Sequence, residues 1–189
     1  MANFVRTNTY YPGLCAPLAN DYFQPILQAL RPTMHQTFAI PAQASLNHYS
    51  FFALATDDVG ALAPIQKMPH IDGVDPFQVA TVHYLCRHKS GGTAFFQHRA
   101  TGFQSIDAKR RETFVRCAGR ELDEIGGHLT HYTDHRTPGF EMVDKVEIKF
   151  NRLIIYPGNI LHSALLDGNV LSANPELGRL TANTFINIG

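Results

Sequence analysis

Past its first 35 residues the chain is written in short apolar runs of strand length, broken once by a stretch of helical period. That alternation limits what it can fold into. The runs at 36–40, 46–54, 78–86, 93–97, 144–150, 152–156 and 179–188, and the segment leading into His70, are rich in apolar, β-branched and aromatic residues. Gly, Pro and Asn bound many of them, as expected of strands. Between them, 105–125 places Phe114, Val115, Ala118, Leu122 and Ile125 at helical spacing, opened by Ser105-Ile106-Asp107 and stopped by Gly126-Gly127. A shorter helix is expected over 21–30, with Asn20 or Asp21 as its cap and Pro32 just beyond its end. Residues 8–17, carrying Pro12, Gly13 and Pro17, read as an irregular entry. Many short strands interrupted by one helical segment predict a mainly β fold, a sandwich or barrel with a helical layer outside.

Composition sets the broad class. A chain of 189 residues with 44% hydrophobic and 17% charged residues reads as one globular domain, 1–189. Formal net charge is zero, so no bulk field draws it to nucleic acid or anionic lipid. Lys109-Arg110-Arg111 reads as the wet face of the helix. Cys15, Cys86 and Cys117 are odd in number and widely spaced, which suits neither a disulfide framework nor a zinc cluster. The first residues, Met-Ala-Asn-Phe-Val-Arg, lack the apolar core of a signal peptide, and no apolar run reaches the length of a membrane span. A reducing, cytoplasmic setting is the expectation.

The chemistry concentrates at Pro69-His70-Ile71-Asp72-Gly73. In extended backbone, side chains at i and i+2 share a face, so His70 and Asp72 can reach one point while Ile71 turns away. A third ligand from a distant strand would complete a two-histidine, one-carboxylate set of the kind that holds Fe(II) and leaves positions open. His162, closing the strand-like run 153–161, is that candidate. H-x-D alone is common by chance; its neighbours give it weight.

Those neighbours are Val79-Ala80-Thr81, Tyr84-Leu85, Gly91-Gly92-Thr93, then His162 and Arg179. In that order the chain resembles the Fe(II)/2-oxoglutarate-dependent oxygenases, particularly the prolyl 4-hydroxylase-like branch. The resemblance covers roughly 65–188; 1–50 and 100–145 match no motif of the family. It implies a double-stranded β-helix, the jelly-roll or cupin-like form, with supporting helices and a helical and lid insertion at about 103–142. It implies iron on His70, Asp72 and His162, and 2-oxoglutarate chelating that iron. Arg179 and Thr181, two apart on one strand, would meet the distal carboxylate, with Tyr84 near the same group. This looks like the R-x-S arrangement of other branches, whereas the prolyl hydroxylases use a lysine. The implied chemistry is oxidative decarboxylation of 2-oxoglutarate to succinate coupled to oxidation of a substrate C–H bond, with ascorbate as a possible reductant. Phe95, Phe96, Ile155 and Tyr156 would exclude water, and Arg152 is a second candidate for the carboxylate.

Blander readings stand beside these. A strand tyrosine such as Tyr84 is often core packing. His83, His88 and His98 are most simply structural or exposed. His128, His131 and His135 lack an acidic or cysteine partner for a second metal site. The loop from Gly126 to Gly139 is a candidate substrate lid, with His128, His131, Tyr132, His135 and Arg136 as contacts for a polar small molecule or peptide side chain. Two other function classes remain: a cupin-type metal protein that makes no use of 2-oxoglutarate, and a non-catalytic binding module. A homodimer contact through residues 1–50 is a further possibility, as is an outer layer built from them.

Overall fold

A computed structural model describes residues 2–7, 9–88, 90–125, 128–168 and 171–189. Among the described residues, eight strands and two long helices follow one another as β1 (Gly13–Pro17), α1 (Asn20–Phe38), β2 (Leu46–Ala55), β3 (Val79–Tyr84), β4 (Gly92–His98), α2 (Ala108–Ile125), β5 (Phe140–Glu147), β6 (Leu153–Pro157), β7 (His162–Leu165) and β8 (Arg179–Ile188). They form two antiparallel sheets, one of five strands in the order β1-β2-β8-β3-β6 and one of three in the order β5-β4-β7. The fold is mainly β, as expected.

Strand alternation explains how the helices sit. On one face of the large sheet, Val79 and Ile186 are buried against Phe23, Leu27 and Met34 of α1, with Leu153 and Ile155 beside them. Each fully buried side chain of this kind contributes about 1.5–3 kcal/mol. On the small sheet, Ala94, Phe96 and Phe140 pack with Phe114, Leu122 and Ile125 of α2. Of the predicted apolar stripe of α2, Phe114, Leu122 and Ile125 pack, whereas Val115 is exposed. The opposite face of the large sheet carries Ala80, Val82, Tyr84 and Tyr156, against Phe95 from the small one.

Several boundaries differ from the sequence reading. Helix α1 runs through Pro32 to Phe38, so 36–38 are its last turn and not a strand. Burial of Met34 extends the stripe of Phe23 and Leu27, and Ala39 ends the helix in the left-handed region at φ 54°. Packing outweighs the proline's lost hydrogen bond here. Residues 13–17 are not irregular, because β1 pairs with β2 from Gly13–Ala55 to Pro17–Phe51. β1 is an edge strand of the large sheet and α1 an outer layer on it. The run 153–162 is not one strand. Pro157 ends β6, Gly158 and Asn159 turn the chain, and His162 opens β7 in the other sheet. Gly126 and Gly127, expected as helix stop and hinge, lie outside the described residues. Among the described residues no helix is long and apolar enough to cross a membrane.

Candidate metal centre

The turn after β6 brings the three predicted ligands together. His70 and His162 form an antiparallel bridge, each backbone N–H donating to the other's carbonyl at 2.9 Å. Two residues on, the Asp72 N–H donates to Gly158 O at 2.8 Å, and the Gly158 N–H donates to Gln78 O at 2.8 Å, at the entrance to β3. The predicted H-x-D geometry is thereby tied to the turn that precedes His162. Ile71 packs against the core containing Met68 and Leu161. One ligand atom each from His70, Asp72 and His162 lies within 4.8 Å of the others. Among the described residues, no other group of three histidine, cysteine or acidic side chains converges in this way.

The donor set fits a divalent cation. A carbonyl can only accept, so His162 Nδ1, at 2.8 Å from Ile160 O, carries the proton. Its Nε2 lone pair is then free and faces Asp72, 3.6 Å from Oδ2. That Oδ2 is buried and has no hydrogen-bond partner. Burial lowers the pKa of both histidines to about 4; the neighbouring His162 adds to the effect on His70, while Asp72 opposes it. Burial also raises Asp72 to about 6, against the pull of His70. His70 is exposed, Asp72 half-buried and His162 buried. His70 keeps some exposed surface, yet enough protein surrounds its ring to disfavour the cation. Two neutral imidazoles and an unsatisfied carboxylate make a donor set that can hold a metal ion; an orphaned buried oxygen is otherwise costly.

The triad opens into a cavity of about 440 Å³ lined also by Tyr11, Tyr156 and Arg179. Arg179 is 3% exposed. It donates to Gly92 O at 3.1 Å, its guanidinium lies 5.7 Å from the centre of the Tyr84 ring, and its Nε has no partner. Among the described residues it forms no salt bridge. Tyr84 and Thr181 stand behind the wall rather than in it. The Tyr84 hydroxyl is hydrogen-bonded to Thr93 at 2.7 Å, and Thr181 Oγ1 points to Ala53 O at 3.5 Å. Arg152 donates to Glu147 O and is not in the lining.

Other expectations divide by strand parity. Phe95 and Tyr156 face inward and the Tyr156 ring lies tilted against that of His162, centroids 4.8 Å apart, but Phe96 packs under α2 and Ile155 under α1. His98 is fully buried and bound to Glu121 of α2 at 3.0 Å, and His83 is hydrogen-bonded to Tyr22 and Asn151. Of the five loop residues, only Tyr132 reaches the cavity, its hydroxyl donating to Asp57 O at 2.9 Å. His128 and His135 are exposed, His131 is hydrogen-bonded to Tyr132 O, and Arg136 pairs with Asp134. The segment is held down: Leu129 is in the core and its carbonyl accepts from buried Lys67 at 2.8 Å. These contacts anchor the segment at Leu129 and Tyr132.

Sequence reasoning missed Tyr11. Register explains its position: Gly13 pairs with Ala55, and Ala55 with Arg179. Tyr11, two residues before Gly13, thus lies close enough for the Arg179 charge to oppose the rise to about 12 that burial imposes on its hydroxyl. That hydroxyl is buried, with the Arg179 guanidinium as its neighbouring donor. Nothing in Tyr10-Tyr11-Pro12-Gly13 signals this before β1 is placed.

These features define a β-rich protein with a histidine–aspartate–histidine group that can hold a metal ion. The chain belongs to the family of unknown function DUF6445, whose model matches residues 1–186. No curated protein matches it.

Proposed function

We propose that this protein is an Fe(II)- and 2-oxoglutarate-dependent oxygenase whose two sheets form a double-stranded β-helix. The observation that carries the reading is the pairing, in one cavity, of the triad with Arg179, a buried cation that lacks an acidic partner among the described residues. A buried cation is costly unless something anionic completes it, and a guanidinium suits a carboxylate. A dicarboxylate with one end at the metal and the other on Arg179 satisfies both.

His70, Asp72 and His162 would hold the iron, and the proton on His162 Nδ1 keeps Nε2 available to it. With 2-oxoglutarate, the iron supplies oxygen activation coupled to decarboxylation to succinate. The chain's residues bind and shield. Arg179 holds the distal carboxylate, with the Tyr11 hydroxyl beside it, and Tyr84 keeps a face toward the guanidinium while its hydroxyl is engaged by Thr93. Phe95 and Tyr156, with ring centroids 5.3 Å apart, keep bulk water from the triad. The free cysteines Cys15, Cys86 and Cys117 suit a reducing, cytoplasmic compartment in which iron stays ferrous.

The test is succinate formation from 2-oxoglutarate with Fe(II), ascorbate and air, alongside calorimetric titration of 2-oxoglutarate into the metal-loaded protein. Metal-dependent binding and succinate formation, both lost in His162→Ala, are expected. A protein that takes up the metal but neither binds nor consumes 2-oxoglutarate contradicts the proposal and favours a cupin-type role.

A further inference from the structure

The inner end of the cavity is accounted for by a metal and a dicarboxylate; its outer end carries a different chemistry. Among the described residues, the lining contains no Lys or Glu, and its His, Asp and Arg side chains are His70, Asp72, His162 and Arg179. All four are committed to the inner end. The residues read from sequence as polar substrate contacts, His128, His135 and Arg136, are exposed and outside the lining.

What the outer end offers instead is an aromatic wall. Tyr49 and Phe51 of β2 are two residues apart and share a face, and Phe185 of β8 lies opposite Tyr49 in register. Ring centroids are 5.6 Å apart for Tyr49–Phe51 and 5.9 Å for Phe51–Phe185. The wall leads inward, since Phe185 pairs with Ala80, and Ala80 with Tyr156 beside His162. At the lip, Tyr49 is 65% exposed, Tyr10 75% and Ile65 49%. Large apolar groups gathered at the mouth of a concave site mark a ligand surface. One polar group interrupts the wall. Asn183, between Arg179 and Phe185 on the same strand face, has a buried Oδ1 with no hydrogen-bond partner.

We infer that the substrate class is an uncharged small molecule that lays an apolar ring on the Tyr49–Phe51–Phe185 wall and donates a neutral N–H or O–H to Asn183. A charged substrate would lose its hydration in the outer end without gaining a counter-charge. A flat ring gains offset or edge contacts with the wall that a flexible polar chain does not. The inference rests on the proposed oxygenase reading for its assignment of the inner end.

Three congeners of one ring test it by ligand-observed NMR: N-acetylphenylalaninamide (neutral), N-acetylphenylalanine (anionic) and phenylalaninamide (cationic). Each is titrated against the full chain in the presence of Zn(II) and 2-oxoglutarate. The neutral congener should bind at least tenfold more tightly than either charged one. The double variant Tyr49→Ser, Ile65→Ser, at two exposed positions that leave the core untouched, should weaken it at least fivefold with circular dichroism unchanged. Equal or tighter binding of a charged congener, or a neutral probe indifferent to the double substitution, would overturn the inference. The readout needs no turnover, so absence of succinate formation leaves this result standing, and absence of ring binding leaves the succinate assay standing.

Discussion

Replacing Arg179 by Met should separate stability from ligand affinity. In the ligand-free protein the substitution removes a charged hydrogen bond to Gly92 O, worth about 1.5–3 kcal/mol, and a cation–ring contact with Tyr84 of about 0.5–2 kcal/mol. It also removes a buried cation with an unbonded Nε, whose effective desolvation penalty is several kcal/mol. The terms oppose one another, and methionine fills a similar volume with an adaptable chain. The net change should lie within about 1 kcal/mol, read as the urea midpoint at constant slope. Affinity behaves differently. Truncating one partner of a desolvated charge pair costs about 2–5 kcal/mol, which is roughly 30-fold to several thousand-fold in the dissociation constant for 2-oxoglutarate. Calorimetric titration of the Zn(II)-loaded variant reads that loss directly. A variant destabilised by about 3–5 kcal/mol, the cost of breaking an internal ion pair, with unchanged 2-oxoglutarate affinity would refute the reasoning. Arg179 would then be a structural residue.

Asp72→Ala should lose metal in equilibrium dialysis without losing stability, because the removed Oδ2 has no partner and burial already disfavours its charge; retained metal content would discard the assignment. Arg6 binds Asp57 through two 2.7 Å hydrogen bonds and holds its carboxyl below the usual range, against the opposing effect of burial. The contribution of that tether is therefore present above the unfolded carboxylate value and is lost as pH falls through the lowered one. Amide exchange of residues 2–7 should report it, with Arg6→Ala deprotected at every pH; protection that ignores Arg6 would sink the idea. Glu121→Ala leaves buried His98 without its Nε2 partner and should cost about 1–3 kcal/mol in urea unfolding; no change would mean that α2 docks without it. Deleting 130–136 removes the Tyr132–Asp57 bond and the wall beside the mouth. It should lower the melting temperature as well as turnover, whereas an unchanged melting temperature with selective loss of substrate oxidation would support a lid.

The site was more legible in the sequence than the fold's edges. His70 and Asp72 could be paired because strand period is local, and His162 because a histidine after a long apolar run is conspicuous. Invisible was that Pro157-Gly158 splits this run between two sheets, so that His162 reaches the triad from β7 rather than from the end of β6. Parity was also undetermined. Phe95 and Phe96 look equivalent in sequence, and only the placement of α2 decides that Phe96 faces away. Arg179 was found through the resemblance, and the present contacts of its neighbours could not be read from it. Thr181 shares its strand face, yet its hydroxyl is taken up by Ala53 O, while Tyr11 arrives through two strand registers that no local pattern encodes. In the His-rich loop the exposure of His128, His135 and Arg136 follows from composition, whereas the anchoring of Leu129 by Lys67 and of Tyr132 by Asp57 depends on contacts distant in sequence.

The central claim is that one metal ion sits on His70, Asp72 and His162 while a dicarboxylate bridges from it to Arg179. Crystals grown anaerobically with Fe(II) and 2-oxoglutarate, measured at the iron absorption edge, test it most directly. The account predicts a single anomalous peak within ligand distance of all three side chains, and 2-oxoglutarate density running from that peak to the Arg179 guanidinium. Iron bound elsewhere, or a dicarboxylate that leaves Arg179 without a partner, would contradict it.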